Sequence, residues 1–251
     1  MAVEPVPGEP AAVADLPGER ALVIADYHAG IEFGFRKDGV EVRSHSGERR
    51  NAVLDLLDRT GADRLVVLGD LGHDIGDPGP TEREEIDRLL ADVTDRAAVT
   101  LVKGNHDGAF EDVVAAADGD VEITPSFGTR IGDVGFAHGH TWPAPDVLAA
   151  DVLCVGHEHP MVRLEDEVGG ARVERAWLRG DLAAEPFEQF HDADLAVEGE
   201  LVVFPAFNDL TGGTWINVPG QSFLAPFLPA GLADGQAYLL DGTRLGPYEQ
   251  V

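Results

Sequence analysis

The sequence predicts an α/β fold, in which a sheet with helices on its faces is followed by β-rich structure. Short apolar segments alternate with helical patterns up to about residue 160, and this alternation is typical of such a sheet. After that point strand-like segments follow one another with turn residues between them and almost no helical period. We therefore expect the C-terminal part to pack as a second sheet. The length of 251 residues suits one large domain or two small ones, and we predict a single domain over residues 1–251.

Local signals give the order of the elements. Residues 1–20 are acidic and rich in Pro, and we predict an extended N-terminal arm with turns. Thr81 and Glu84 form a capping box that predicts the start of a helix. Residues 183–199 are polar and acidic with no clear period, which predicts a loop or insertion. The apolar strands of the first part are predicted at residues 21–26, 64–68, 98–102, 133–137 and 152–155.

Charge is the strongest compositional signal. The chain has 46 Asp and Glu against 18 Lys and Arg, which gives a net charge of −28 and a pI near 4.4. A dispersed excess of this size predicts a self-repelling surface that salt screens, and hence a halophilic source, although an ordinary acidic protein fits it too. The charge disfavours a broad nucleic-acid-binding face. A small nucleic-acid-binding groove remains compatible with the sequence because of one basic cluster, which contains Arg36, Lys37, Arg43, Arg49 and Arg50.

Cysteine usage and the N-terminal sequence bear on the compartment. The single Cys, Cys154, lies in an apolar strand and excludes an internal disulfide, which is typical of a reducing environment. The first residues have neither a basic region nor a long apolar run, so we expect no signal peptide. No segment reaches the 18 or so apolar residues that a membrane span needs. We therefore expect a cytoplasmic protein with no membrane partner.

Metal-ligand residues follow the apolar strands. The ligand sites of open α/β sheets lie beyond the carboxyl ends of the strands, so we expect these strand ends to meet at one edge of a sheet. Asp, Asn and Gly are also common in turns, but a repeated pattern of this kind favours a site over turn chemistry. The residues concerned are Asp26 and His28, Asp70, Asn105 with His106 and Asp107, His138 and His140, and His157 and His159.

The residue types favour divalent transition metals. Asp, Asn and His together suit Mn²⁺, Fe²⁺ or Zn²⁺ better than Mg²⁺ or Ca²⁺, which prefer oxygen ligands alone. The candidate ligands are too many for one ion with an open position, and they suit two ions that share a carboxylate. Two metal ions about 3.5–4 Å apart can bind the attacking and leaving oxygens of a phosphoryl transfer. The pattern therefore predicts a dinuclear metal centre.

The blocks D-x-H, GD, GNHD, HGH and GHEH, in this order and each after an apolar strand, resemble the calcineurin-like metallophosphoesterases over roughly residues 22–160. The later sequence FPAFNDLTGGTWIN is similar to a branch of small prokaryotic phosphoesterases of unknown substrate, distantly related to the nuclease subunits of DNA repair. The resemblance implies two packed mixed β-sheets flanked by helices, a four-layer α/β/β/α sandwich. It also implies metal-dependent hydrolysis of a phosphate ester, as a phosphodiesterase or phosphatase, by a dinuclear centre with a bridging hydroxide.

The resemblance assigns a role to each block. Two divalent ions are expected, with Mn²⁺ favoured and Fe²⁺, Zn²⁺ or Ni²⁺ as alternatives. His106 would bind no metal; it would face the scissile phosphate and protonate the leaving oxygen or stabilise its charge. The implied ligands are Asp26, His28 and His159 for the first ion, Asn105, His138 and His157 for the second, and Asp70 as the bridge.

This chain departs from the family pattern at one position. Many members have an acid three residues after the bridging Asp, where it orients the catalytic His. Here that position is His73, and Asp74 follows it. The acid that orients His106 is therefore open between Asp74 and Asp107. His73 is itself either a pocket residue or a plain loop residue.

Other questions stay open at this level. His138 is favoured over His140 as a ligand because it is nearer the strand end, and His140 would then be a further pocket residue. The expected partner is a phosphate ester of unknown identity, and the oligomeric state is undetermined. One rival function is a DNA or RNA nuclease, which the basic cluster favours. Another is a non-catalytic, metal-bound scaffold, which would have no need of His106.

Overall fold

The computed structural model describes residues 2–108, 110–117, 119–166 and 168–251. In these residues the strands form two β-sheets. The first sheet is antiparallel in its first half and parallel from its third strand onward. Its strands lie side by side in chain order, as β1 Val3–Pro5, β2 Ala11–Leu16, β3 Glu19–Ile24, β4 Arg64–Val67, β5 Ala98–Val102 and β6 Val121–Thr124.

The second sheet is also mixed. Its strands are β7 Thr129–Ile131, β8 Val134–Ala137, β9 Val152–Val155, β10 Met161–Glu165, β11 Ala171–Leu182, β12 Glu200–Val203, β13 Leu232–Leu239 and β14 Arg244–Pro247. Their order is β14-β13-β11-β12-β9-β8-β7, and β10 pairs with β11 outside this path. Strands β8, β9 and β12 are parallel to one another, and the other pairs are antiparallel.

Helices cover the outer faces of the sheets. They are α1 Ile31–Lys37, α2 Ser46–Thr60, α3 Pro80–Thr94, α4 Glu111–Ala116, α5 Pro145–Leu148 and α6 Ala184–His191, with a 3-10 helix at Tyr248–Gln250. Helices α2 and α3 lie on the first sheet, and α5 and α6 on the second. Among the described residues, none of these helices combines the length and the apolar composition needed to cross a membrane.

The alternation of side chains along each strand builds the layers. In β3, Leu22 and Ile24 pack in the core under α2 and α3, whereas Ala21 and Val23 face the second sheet. The core between the sheets also contains Trp177 of β11, which is 1% exposed. Burying one large aliphatic side chain contributes about 1.5–3 kcal/mol, so strands that are apolar on both faces are stable only between two covering layers. The predicted fold class, two mixed sheets flanked by helices, is confirmed.

The second sheet begins earlier in the chain than expected. Strands β8 and β9, which precede His159, belong to it and pair with the later strand β12. The expectation that all the ligand-bearing strand ends meet at one edge of one sheet is therefore wrong. These ends come from both sheets, which face each other across the inner core.

The first residues are not an extended arm. Val3–Pro5 and Ala11–Leu16 form strands, and Ala11–Leu16 pairs along its whole length with Glu19–Ile24 through the tight turn at Pro17 and Gly18. Ala residues and an Asp give this segment little intrinsic preference for a strand. Burial between the sheets decides its conformation, a tertiary effect that local patterns do not contain.

The segment 183–199 is only partly a loop. Helix α6 occupies Ala184–His191, and the rest is irregular. The helix is too short to display a period in the sequence. Its buried Phe187 lies against Phe227 and Trp142, with ring centroids 5.5 and 5.7 Å away, and this packing fixes the helix on the second sheet.

Candidate metal centre

The carboxyl ends of strands from both sheets meet in one place. From the first sheet, β3 leads to Asp26 and His28, β4 to Asp70, and β5 to Asn105 and His106. From the second sheet, β8 leads to His138, and β9 to His157 and His159. The structure thus brings together residues that lie far apart in the chain.

These side chains form two compact groups. The Asp26 cluster consists of Asp26, His28 and His159, and the Asp70 cluster of Asp70, His138 and His157. Within each cluster, one ligand atom from each residue lies within 4.8 Å of the others. Each cluster therefore has a carboxylate from the first sheet and at least one imidazole from the second.

The two clusters adjoin each other. Asp70 Oδ2 lies 3.4 Å from His138 Nε2 and 3.9 Å from His28 Nε2, so this carboxylate faces both clusters. Asp26 Oδ1 lies 3.2 Å from His159 Nε2 and 3.8 Å from His138 Nδ1. The amide oxygen of Asn105 is 3.0 Å from His138 Nε2, which places Asn105 at the Asp70 cluster.

The backbone at these positions is strained. Five candidate ligands have the left-handed conformation that non-Gly residues rarely adopt, at a cost of about 1–2 kcal/mol each. They are Asp26 (φ 56°), His28 (φ 47°), Asp70 (φ 50°), His157 (φ 66°) and His159 (φ 43°). Elsewhere in the described ranges, only Asp192 and Asp234 share this conformation among non-Gly residues. Strain concentrated in this way is typical of a functional site.

Backbone hydrogen bonds between the loops offset this strain. The His28 amide donates to the Asp70 carbonyl at 2.9 Å, and the Ala29 amide donates to the Leu71 carbonyl at 2.8 Å. Gly104, in the GNHD block, also has to be Gly. A Cβ at this position would collide with Asp70, at both its amide nitrogen and Oδ1.

Hydrogen bonds from the ring nitrogens orient two of the imidazoles. His138 Nδ1 lies 2.7 Å from the Leu68 carbonyl, and His159 Nδ1 lies 2.9 Å from the Gly212 carbonyl. Since a carbonyl can only accept, each Nδ1 carries the proton when the ring is neutral, and the lone pair of each Nε2 is then directed into its cluster. Metal-binding histidines commonly have a partner of this kind on the other nitrogen.

The residues fit divalent cations. His28 Nδ1 is buried, and within the described residues it has no hydrogen-bond partner, which is costly for an imidazole nitrogen unless another group completes its environment. Asp26 and Asp70 are almost fully buried, and the charged groups that they face in the clusters are histidines. A set of buried carboxylates and imidazoles suits Mn²⁺, Fe²⁺ or Zn²⁺.

Electrostatics couples the carboxylates to the rings that face them. Burial alone would raise the pKa of Asp26, but His159 and His138 outweigh it and keep this pKa below its usual value. Asp70 behaves likewise, because His138 and His28 outweigh its burial and lower its pKa. Burial would lower the pKa of His138, but Asp70 and Asp26 raise it to about 9.

Two other rings of the clusters, His28 and His157, have a lowered pKa. Burial lowers the pKa of His28 to about 4, although Asp26 and Asp70 act against it. Burial and the neighbouring His138 lower the pKa of His157 to about 4. In the absence of a cation these two imidazoles are therefore neutral near pH 7, which is the form that binds metal ions.

His106 is oriented by a backbone carbonyl. Its Nδ1 lies 2.5 Å from the carbonyl oxygen of His73, and its Nε2 lies 3.8 Å from Asp70 Oδ2. The carboxylate of Asp74 instead contacts Lys37 Nζ at 3.1 Å. Neither of the acids predicted as the partner of His106 therefore contacts Nδ1, because the His73 carbonyl occupies that position.

Asp107 stabilises the loops instead. Its Oδ1 accepts the amide hydrogens of Leu71 at 3.0 Å and Gly72 at 3.3 Å, and its Oδ2 accepts that of Gly104 at 2.8 Å. Burial and the nearby Asp70 raise the pKa of Asp107 to about 6. Asp107 thus connects the loop after β4 to the loop after β5.

His140 and His73 flank the clusters. The His140 ring lies 5.2 Å from that of His138 and 6.0 Å from that of His157, outside the Asp70 cluster itself. The His73 ring lies 5.4 Å from that of His28 and stacks on that of His106 at 6.0 Å. Both have a buried Nδ1 without a hydrogen-bond partner in the described part of the chain.

Two acids on α3 were missed in the sequence. Glu85 Oε2 accepts the Gly30 amide hydrogen at 2.9 Å, and Glu82 Oε2 accepts that of Gly79 at 3.2 Å. The helix thus begins at Pro80, one residue before the predicted capping box. Both acids are buried on the face of α3 that also carries Ile86. An acid on an apolar helix face is the signal that could have found them.

Asn208 supports the site from the C-terminal part of the chain. It is 1% exposed, and its amide nitrogen donates to the carbonyls of Tyr27 at 2.9 Å and His28 at 3.2 Å. Its backbone amide donates to the Asp26 carbonyl at 3.3 Å. Asn208 therefore stabilises the strained D-x-H turn, and an Asn after an apolar strand, as in FPAFN, is only a weak signal for this.

A family model and several solved structures resemble this chain. A family model described as calcineurin-like phosphoesterase matches residues 19–199. The nuclease MPE of Pseudomonas putida has the same fold, with 18% identity, a TM-score of 0.58, and coverage of 97% of this chain and 100% of that chain. Yfce, a phosphoesterase from E. coli, is 20% identical with a TM-score of 0.41, and the match covers 82% of this chain and 96% of that chain.

No curated protein sequence matches this chain. The family match nevertheless spans most of its length, including every block that carries a candidate ligand. The fold, with ligand-bearing strand ends from two facing sheets, agrees with that match. The chain belongs to the calcineurin-like phosphoesterase family.

Proposed function

We propose that this protein hydrolyses phosphate esters with two divalent cations bound at the Asp26 and Asp70 clusters. The observation that carries the proposal is the pair of adjoining clusters with His106 beside them. Bound cations would neutralise phosphate charge and lower the pKa of a bound water towards the neutral range. Mn²⁺ is the favoured ion, with Fe²⁺, Zn²⁺ and Ni²⁺ as alternatives.

Each cation would have its own set of ligands, with one residue in common. Asp26, His28 and His159 would bind one cation, and Asp70 would contact both because its Oδ2 faces both clusters. The second cation would be bound by Asn105, His138 and His157. Buried carboxylates and strained turns fix these side chains before substrate arrives, so little reorganisation is needed during the reaction.

His106 would act on the leaving group. Its Nδ1–H donates to the His73 carbonyl, so Nε2 is free and directed to the side where Asp70 lies. When protonated, Nε2 would donate its proton to the departing oxygen of the ester. A positioned general acid of this kind contributes about 10²–10⁴-fold to the rate.

The first test compares wild type with His106→Ala. Hydrolysis of bis-p-nitrophenyl phosphate, a diester, and of p-nitrophenyl phosphate, a monoester, would be followed in molar KCl with Mn²⁺. We expect wild type to hydrolyse at least one of them, and His106→Ala to retain its bound metal while kcat falls about 10²–10⁴-fold.

The matched control is His45→Ala, which removes a histidine at the start of α2, outside both clusters. This variant should keep wild-type activity. Undiminished turnover in His106→Ala would contradict the role of His106. A wild-type protein that binds two ions and hydrolyses no ester would favour a non-catalytic scaffold instead.

A nuclease activity is the second candidate, because the similar protein of Pseudomonas putida is described as a nuclease. The basic cluster supports it less than the sequence indicated. Arg49 is buried between Glu32 and Glu85, at 3.2 and 2.6 Å. Arg43, Arg50 and Lys37 each form an ion pair with an acid of this chain. Cleavage of a short single-stranded oligonucleotide, measured beside the chromogenic diester, would decide between a nuclease and a small-molecule esterase.

A further inference from the structure

The orientation of His106 depends on one peptide group. Its Nδ1–H donates to the carbonyl of His73 over 2.5 Å. The position of this carbonyl is set by the backbone of the loop that contains His73. The orientation of the His106 ring therefore depends on the conformation of that loop. The loop lies after β4 and has no regular secondary structure of its own around His73. Something outside the loop has to fix it.

Glu82 is the side chain that does so. Its Oε1 accepts the amide hydrogens of His73 at 2.5 Å and Asp74 at 3.1 Å, and its Oε2 accepts that of Gly79 at 3.2 Å. The residue is 3% exposed and lies in the first turn of α3. One carboxylate therefore fixes the amide on each side of the His73 carbonyl.

Close packing keeps this carboxylate in place. Gly72 lies so near that a Cβ there would be 2.5 Å from Glu82 Oε1 and 2.7 Å from Phe110 Cζ. Burial raises the pKa of Glu82, while the donated amide hydrogens act in the opposite direction. The buried carboxylate thus lies closely packed against the loop and Phe110.

Other acids near His106 are already engaged. Asp107 accepts amide hydrogens from Leu71, Gly72 and Gly104, and Asp74 contacts Lys37. Asp70 faces the opposite ring nitrogen, Nε2. Within the described residues, no carboxylate contacts His106 Nδ1, so the His73 peptide is the route by which an acid can orient this ring.

We propose that Glu82 is a positioning residue that orients His106 through the peptide of His73. The inference rests on the proposed function, since it assigns to Glu82 a share in the effect of His106 on the leaving group. Glu82 belongs to neither cluster. Its carboxylate fixes the two amides, the amides fix the carbonyl, and the carbonyl fixes the tautomer and direction of the imidazole.

Glu82→Gln is the informative change. The side-chain amide has nearly the shape of the carboxylate, but one of its two ends carries N–H donors. In one orientation of the Gln side chain, its NH₂ group faces the Gly79 amide. In the other orientation, it faces the amides of His73 and Asp74, so a donor always faces a donor. We expect kcat on the chromogenic diester to fall about 10- to 100-fold, with the KM and the number of bound metal ions unchanged.

A double-mutant cycle tests whether the effect passes through His106. If it does, adding Glu82→Gln to His106→Ala should change kcat by less than about 2-fold, because the ring that Glu82 orients is already gone. The matched control is Glu85→Gln, another buried acid of α3, which contacts the Gly30 amide and Arg49. Its effect should be equal in the two backgrounds. Equal effects of Glu82→Gln in the two backgrounds would overturn the proposal.

A spectroscopic measurement separates this inference from the proposed function. Long-range ¹H–¹⁵N spectra of the Zn²⁺-loaded protein report which nitrogen of each histidine carries hydrogen, whether or not the protein hydrolyses any ester. We expect a slowly exchanging Nδ1–H signal that is absent from His106→Ala and that weakens or is lost in Glu82→Gln. In His73→Ala it should persist, since this variant keeps the backbone carbonyl. A wild-type His106 protonated only at Nε2 would overturn the proposal, even if Glu82→Gln failed to fold.

Discussion

The loops of the first sheet and those of the second bring different chemistry to the clusters. First-sheet loops supply the oxygen ligands among the candidates, Asp26, Asp70 and Asn105, whereas second-sheet loops supply imidazoles. Buried side chains such as Asp107 fix the first-sheet loops. In the second sheet, the Gly156 amide pairs with the His138 carbonyl at 2.9 Å, and the buried Glu158 carboxylate accepts the amide hydrogens of Leu224 and Ala225.

This difference shows that neither sheet forms a cluster alone. The first sheet holds negative charge that its own His28 does not balance, because burial keeps the pKa of His28 near 4. The second sheet supplies His138, whose pKa the carboxylates of the first sheet raise to about 9. Protonated His138 thus balances part of the buried charge until a cation binds.

The largest effect is expected from the carboxylate that faces both clusters. Asp70→Ala should lose both ions and all measurable hydrolysis, because Asp70 Oδ2 lies within 4 Å of an imidazole in each cluster. His159→Ala, which removes a second-sheet ligand from the Asp26 cluster alone, should lose about one ion per chain. Elemental analysis after gel filtration measures both. If Asp70→Ala kept two ions and full activity, its assignment as the shared ligand would be wrong.

A smaller effect is expected from the residue that stabilises the D-x-H turn. Asn208→Ala removes the donors to the Tyr27 and His28 carbonyls and leaves the turn strained and poorly paired. Metal affinity at the Asp26 cluster should fall about 10–100-fold, a range typical of residues that support metal ligands. Calorimetric titration with Mn²⁺ would resolve this site from the Asp70 cluster, whose affinity should stay the same.

Asn217→Ala is the control for this experiment. Asn217 pairs with the backbone of Arg163 in β10 and with the Val251 carbonyl, and it belongs to neither cluster. The affinity of the Asn217→Ala variant for Mn²⁺ should equal that of wild type. A similar loss of affinity in both variants would show that Asn208 supports the C-terminal segment as a whole and has no special relation to the turn.

The smallest expected effect is the number of protons released when a cation binds at the Asp70 cluster. His138 has its pKa raised to about 9, so without metal it is protonated at pH 7 and loses that proton when Nε2 binds a cation. Affinity at the Asp70 cluster should therefore rise about tenfold per pH unit between pH 6.5 and 8, and the rise should end as pH passes the raised pKa. Titration in buffers of different ionisation enthalpy measures the protons released.

His140→Ala is the control for the proton count. Burial and the neighbouring His138 lower the pKa of His140 to about 4, so this ring is already neutral at pH 7 and has no proton to release. The number of protons released should be the same as in wild type. A metal-binding reaction that releases no proton at pH 7 would show that His138 is neutral in the metal-free protein.

The sequence was sufficient to find the candidate ligands of the two clusters, because each follows an apolar strand whose position is read from composition. It could not place them in two sheets. The sequence of β8 and β9 predicts buried strands in either sheet. Their place in the second sheet follows only from the pairing of β9 with β12, which begins at Glu200. The short strands β1 and β2 were hidden for a similar reason, since partners and burial define them more than their own residues do.

The groups that position the site were harder to find than the ligands. The partner of His106 is a main-chain carbonyl, which no residue type marks. Glu82 and Glu85 look like ordinary helix acids until their burial is known. Asn208 reaches the D-x-H turn from about 180 residues further along the chain. Motifs record the atoms that touch metal or substrate, and the supporting atoms depend on tertiary structure.

The meeting of two sheets at the clusters has a consequence for the topology of the chain. His157 donates its backbone amide to both carboxylate oxygens of Asp26, 131 residues away, at 3.2 and 3.1 Å. A cation bound by Asp26 and His159 would close a loop of similar length, and a cross-link that closes a long loop removes much entropy from the unfolded chain. With a single cysteine, this chain cannot form an internal disulfide. A cross-link through the cation would respond to the concentration of divalent cations and not to redox potential.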